Sequence, residues 1–260
     1  MHYTRIIQFS TAMTIVITAV ALGQAESAPA GKAVRSSNRR APGPNSKKAY
    51  VATDQYAKRS LEGWTIYVNK ELLNGQKELG DKALRLLETK LYEIRRRVPA
   101  RALATLQQVP IWLGVDDGPA PCSEYHPNRE WLRENGYNTD KVKCVEIGNA
   151  TRFLKWTLDQ PSMVLHELSH AYHDQVLGFD YPPIKEAFQK AVASKNYESV
   201  LHHNGRIERS YALSNHKEYF AEACEAYFGT NDMYPFVRAE LQKHDPLIFK
   251  ILNEVWGNHP

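Results

Sequence analysis

Only three of the 260 residues are cysteine, and no two of them form a CxxC pair. That excludes a zinc ribbon, a cysteine-rich finger and a disulfide-dense scaffold. No internal repeat is present, which excludes solenoids and propellers. Beyond residue 22 no apolar run is long enough to make a membrane helix. A basic surplus is also missing where it would matter. Seven of the 33 basic residues but one of the 29 acidic ones lie before residue 51, leaving 26 against 28 in the remainder. The net charge of +4 therefore belongs to the N-terminal stretch, and a nucleic-acid-binding domain is not expected.

The N-terminal stretch reads as processing sequence. Met1–Arg5 carries one positive charge, Ile6 to Leu22 is mainly apolar, and Gly23-Gln24-Ala25 supplies small residues for cleavage. Residues 1–25 thus read as a signal peptide, which predicts a secreted or extracytoplasmic protein without stable membrane insertion after cleavage. Residues 26–50, rich in Ser, Pro, Gly, Arg and Lys, have almost nothing to bury and read as a disordered basic linker or pro-segment. Residues 51–260 are left as the folded domain. In an exported protein the odd cysteine count suggests one pair and one leftover. Cys122 and Cys144 flank a loop-rich stretch and are the expected disulfide, with Cys224 a buried thiol.

Within the domain, Trp64–Val68 and Val109–Val115 have the β-branched and aromatic content of strands, as does Lys143–Ile147. Leu84, Leu87, Leu91, Ile94 and Val98 recur at helical steps and define one amphipathic helix. A short helix is expected at Arg129–Asn135. Pro161 to Leu177 should be a helix with proline in its first turn and Gly178 at its stop. Pro183–Ser194 continues as helix, Asn204-Gly205 marks a tight hairpin, and Asn215–Phe228 is a further helix closed by Gly229. Two shorter helices around 235–243 and 246–255 end the chain. This order implies an α+β fold, a small sheet packed on one helix, with a helical C-terminal half.

The chemistry concentrates in His166-Glu167-Leu168-Ser169-His170. Helical residues four apart share a face, so both imidazoles can reach one zinc ion, while Glu167 can take the proton of the attacking water. A catalytic zinc needs a third protein ligand. The metzincin pattern would require glycine at 173 and histidine or aspartate at 176, where this chain has His173 and Val176. A later helix offers Glu218-Tyr219-Phe220-Ala221-Glu222-Ala223 instead. Its two carboxylates lie on one face among apolar neighbours, costly unless compensated. Glu218 is the expected ligand and Glu222 the acceptor of a histidine N–H; the alternative is a solvated acidic face. Tyr211 stands where a phenol could face the metal, with a packing role as its alternative. Lys143–Asn149, just ahead of the active helix, is expected as an edge strand that pairs with an extended peptide, with Asn149 a candidate contact for substrate backbone.

The pair His-Glu-Leu-Ser-His and Glu-Tyr-Phe-Ala-Glu-Ala resembles the catalytic domain of anthrax toxin lethal factor and related secreted peptidases. The likeness spans roughly residues 144–232. It implies a zincin-like metallopeptidase domain of the glutamate-ligand (gluzincin) kind, in which a small mixed sheet packs on an active-site helix. One Zn2+ per chain is implied, held by His166, His170 and Glu218, with Glu167 as general base. Tyr211, seven residues before Glu218, would stabilise the oxyanion, and Asn215 also matches. The implied activity is hydrolysis of peptide bonds in a protein or peptide substrate. Toxin delivery does not carry over, because the N-terminal half matches none of the toxin's other domains. A non-catalytic zinc-containing binding module, and a zinc hydrolase of non-peptide amides, are the competing readings.

Overall fold

The computed structural model describes residues 50–257, apart from Pro119 and Pro121. The expected signal peptide and nearly all of the expected linker lie outside the described residues. The chain runs through β1 (Tyr56–Leu61), β2 (Trp64–Asn69), α1 (Lys70–Leu73), α2 (Lys77–Arg97), α3 (Ala100–Leu106), β3 (Ile111–Leu113), β4 (Ser123–Tyr125), α4 (Arg129–Glu134) and β5 (Val145–Ile147). It continues through α5 (Ala150–Trp156), α6 (Met163–Tyr172), α7 (Pro182–Ser194), the hairpin β6 (Val200–Leu201) and β7 (Ile207–Glu208), then α8 (His216–Phe228), α9 (Arg238–His244) and α10 (Pro246–Trp256). The fold is α+β with a small mixed sheet, as expected. No helix among the described residues is long and apolar enough to cross a membrane.

The five-stranded sheet has the order β1-β2-β3-β5-β4. The inner pairs β2/β3 and β3/β5 are parallel, and the outer pairs are antiparallel. Alternation along the strands separates two faces. Ile66, Val68, Ile111, Leu113, Val145 and Ile147 join the main core with Leu87, Leu91 and Ile94 of α2 and Phe153 of α5. The opposite face carries the row Tyr67, Trp112, Glu146 and Glu124, aligned by register. Trp112 stacks on Tyr67 with ring centroids 4.3 Å apart and meets Tyr56 edge-on at 4.7 Å.

That second face buries charge. Glu146 bonds to Lys141 Nζ and lies 2.7 Å from His126 Nε2, and all three residues are 1 % exposed. Lys141 Nζ also reaches Tyr56 Oη at 3.3 Å, and Tyr56 donates to Asp117 at 2.6 Å. Burial alone would raise the Glu146 pKa. The hydrogen bond from His126 and the Lys141 ammonium outweigh it and hold the carboxyl below its ordinary range.

Two expectations need correction. Lys143–Asn149 is not an edge strand: β5 lies between β3 and β4, and β4, formed within the long loop, holds the edge. The Cys122–Cys144 disulfide does not form, and all three cysteines are buried free thiols. Backbone bonds set Cys122 opposite Gly148 and Cys144 opposite His126. The two cysteines thus sit at opposite ends of the β4/β5 ladder, roughly 13 Å apart at about 3.3 Å per residue. A disulfide needs Cα atoms within about 7 Å. The Cys122 thiol instead lies 3.7 Å from Met163 Sδ, and burial pushes it up to about 12.

Candidate metal centre

α6 forms because Val164, Leu165, Leu168, Ala171 and Tyr172 supply a continuous apolar face, all of it buried. It begins after Pro161, where Ser162 Oγ donates to the Thr230 carbonyl (2.9 Å) and accepts its N–H (3.1 Å). The helix ends in a π turn at His173–Leu177, and Gly178 then takes φ +79°. His166 and His170 therefore project from one face, toward α8, on which α6 packs extensively.

α8 is placed by its N-terminus. Asn215 caps it, with its side-chain oxygen accepting the N–H groups of Lys217 (2.9 Å) and Glu218 (3.1 Å). A lost cap of this kind costs about 1 kcal/mol. Asn215 therefore fixes the backbone of Glu218. A short 3-10 turn, Tyr211–Ser214, leads into the cap and packs on α8. Tyr211 is half-buried there, its N–H 3.3 Å from Met233 Sδ.

Three ligand atoms converge. His166 Nε2 lies 3.1 Å from His170 Nε2 and 3.1 Å from Glu218 Oε2, and His170 Nε2 lies 3.3 Å from the same oxygen. Donors bound to one tetrahedral zinc at 2.0–2.1 Å are separated by about 3.3 Å. The three edges match that figure, so the residues present fit the ion. Burial would raise the Glu218 pKa, but the His170 charge and the hydrogen bonds from both histidines hold its carboxyl far below the ordinary range. Burial would likewise depress His166, yet its bonds to Glu218 and Glu225 raise it well above 6.5.

Glu225, rather than Glu222, orients the first histidine. Its Oε1 lies 2.7 Å from His166 Nδ1, whereas Glu222 Oε1 is 3.8 Å away, beyond hydrogen-bond reach. Glu218, Glu222 and Glu225 form one stripe at helical spacing, and the crossing with α6 decides which of the later two meets the ring. The sequence pattern carried that stripe, and the expectation stopped one turn short. Glu167 is half-buried, and its Oε2 accepts the Tyr125 N–H at 2.8 Å.

Other histidines, and Asn149, do not join the trio. His173 is fully buried among Phe179, His216 and Phe220, and burial pushes it down to about 3. His216 bonds the Phe179 carbonyl, while His202 and His203 sit on the β6–β7 hairpin near Asp232 and Asp159. Asn149 caps α5 by accepting the Arg152 N–H at 2.8 Å and donates to Asp116, so it is occupied structurally.

Two histidines and a carboxylate, brought to one point by two packed helices beside a mixed sheet, define an α+β domain with a candidate metal centre. Residues 121–255, just over half of the chain, match the family described as anthrax toxin lethal factor, N- and C-terminal domain, and the chain belongs to that family. Comparison with curated proteins and with solved structures gave no match.

Proposed function

We propose that residues 51–260 form a zincin-like metallopeptidase domain of an exported protein, which hydrolyses peptide bonds with one Zn2+ held by His166, His170 and Glu218. The observation that carries the reading is the triangle of ligand atoms with edges of 3.1, 3.1 and 3.3 Å. Membership of the lethal factor family supports it. Only three such groups surround the point among the described residues, and a structural zinc site is normally closed by four.

Zinc bound there would supply a Lewis acid that polarises a carbonyl and makes water acidic near neutral pH. The remaining steps belong to this chain. Glu167, beside the first histidine, takes the proton of the attacking water on its carboxylate and returns it to the leaving amine. Tyr211 donates its phenol proton in a hydrogen bond to the developing oxyanion. Glu225 holds His166 through Nδ1, which leaves Nε2 directed at the centre.

The experiment is zinc stoichiometry of the purified protein together with cleavage of an unbiased peptide library, with and without chelator. One zinc per chain and chelator-sensitive cleavage are expected. A folded protein that takes up no zinc would refute the reading.

A further inference from the structure

In an antiparallel ladder, alternate residues turn their N–H and C=O away from the partner strand. His126 donates to Cys144 (3.1 Å) and Gly148 donates to Cys122 (2.8 Å) across the β4/β5 pair. Cys122, Glu124 and His126 therefore face β5, and Ser123 and Tyr125 turn their backbone groups outward. Among the described residues no strand pairs with β4 on that side, yet the Tyr125 N–H is taken by Glu167 Oε2 at 2.8 Å. The same residue is gripped a second time. Its phenol donates to Asp174 at 2.7 Å and accepts from Gln175 Nε2 at 3.0 Å, and Lys143 Nζ bonds to the same Asp174 oxygen. Glu167 lies on α6 and residues 174 and 175 on the π turn that extends it. One helix thus holds one edge-strand residue at two points.

We propose that Tyr125 is a positioning residue for Glu167, and that Glu167 and an incoming extended peptide compete for the Tyr125 N–H. A peptide pairing along β4 takes that N–H with its own carbonyl oxygen and so releases the Glu167 carboxylate. A neutral carbonyl is a weaker acceptor than a carboxylate. The exchange therefore favours an extended backbone long enough to bond at both outward positions, Ser123 and Tyr125, over a short or bent ligand. The catalytic consequence rests on the reading of Glu167 as base; the competition itself does not.

Backbone amide exchange of the full-length protein tests the first half. In Glu167→Ala the Tyr125 amide should exchange at least about tenfold faster than in the wild type, given a charge-assisted bond. The Glu124 and His126 amides, which face β5, should keep their rates and so report an intact fold. Glu167→Gln, which retains a carbonyl oxygen, should fall between. Equal Tyr125 rates in the wild type and Glu167→Gln and Glu167→Ala variants overturn the proposal. If Glu167→Ala fails to fold, Tyr125→Phe carries the test, with a few-fold faster exchange at position 125 expected and an unchanged rate overturning it. The second half uses a fluorescent pool of acetylated random octapeptides, titrated against Glu167→Gln and Glu167→Ala, neither of which retains the base. Several-fold tighter binding to Glu167→Ala is expected, and equal or weaker binding overturns the competition. A wild type without zinc or turnover would remove the peptidase reading and leave both measurements standing.

Discussion

The protein buries two clusters of histidine and carboxylate, one on the outer face of the sheet and one between α6 and α8. The first contains its own cation: Lys141 stands against Glu146, which His126 also contacts, and Tyr56 links the ammonium to Asp117. The second brings His166 and His170 of α6 against Glu218 and Glu225 of α8, and three of their ligand atoms converge on one point. Residue types alone do not separate the two. A buried carboxylate is costly until something positive compensates it. The outer cluster is compensated by an ion pair with a lysine of the same chain, and so serves the fold. In the inner one the histidines themselves stand against the carboxylates, and the same groups could hold a metal ion.

The sharpest way to break this contrast is Glu167→Gln, which should retain zinc while turnover falls by about 10² to 10⁴. Undiminished cleavage of the peptide library would remove Glu167 as the general base. Lys141→Met should do the reverse. It strands Glu146 and should destabilise the fold by about 3–5 kcal/mol in chemical denaturation, with zinc per folded chain unchanged. A loss of zinc would mean the clusters are not independent. Glu225→Gln should weaken zinc binding by about 10–100-fold, and Glu222→Gln by less. A competition titration with the opposite ranking would restore Glu222 as the orienting residue.

The pH response sharpens the same contrast. In the metal-free protein His166 is raised above its unfolded value of 6.5, so its stabilising contribution is complete below that pH and is lost as pH rises through the folded value. Zinc must displace that proton. Across this window, zinc affinity should therefore climb with pH while metal-free stability declines. Parallel slopes in calorimetry would show that His166 is not the proton that zinc displaces. The smallest effect is a count. Labelling of the denatured, unreduced protein should find three thiols. One labelled thiol would reinstate the Cys122–Cys144 bridge and contradict the β4/β5 register.

How much was legible depended on the range of the interactions involved. Leu87, Leu91 and Ile94 announced α2 through local periodicity, and Asn204-Gly205 announced the β6–β7 hairpin through turn chemistry. β1 was not apparent, because Lys58, Arg59 and Ser60 dilute its pattern and its identity comes from pairing with β2. β4 is only three residues long and exists because β5 offers it a ladder. Asn149 looked like a ligand contact from its place in the order; its side chain was already committed as a helix cap.

The sequence by itself determined the two histidines on one helical face, the glutamate beside them and the acidic stripe on the later helix, because spacing within a helix is fixed by its own hydrogen bonds. Only the tertiary structure decided that Glu218 closes the triangle, that Glu225 rather than Glu222 holds His166, that β4 rather than β5 is the edge, and that Cys122 and Cys144 stay apart. Each of those depends on how two separate elements cross or register, and that is set by the packing of the whole core rather than by any local run of residues.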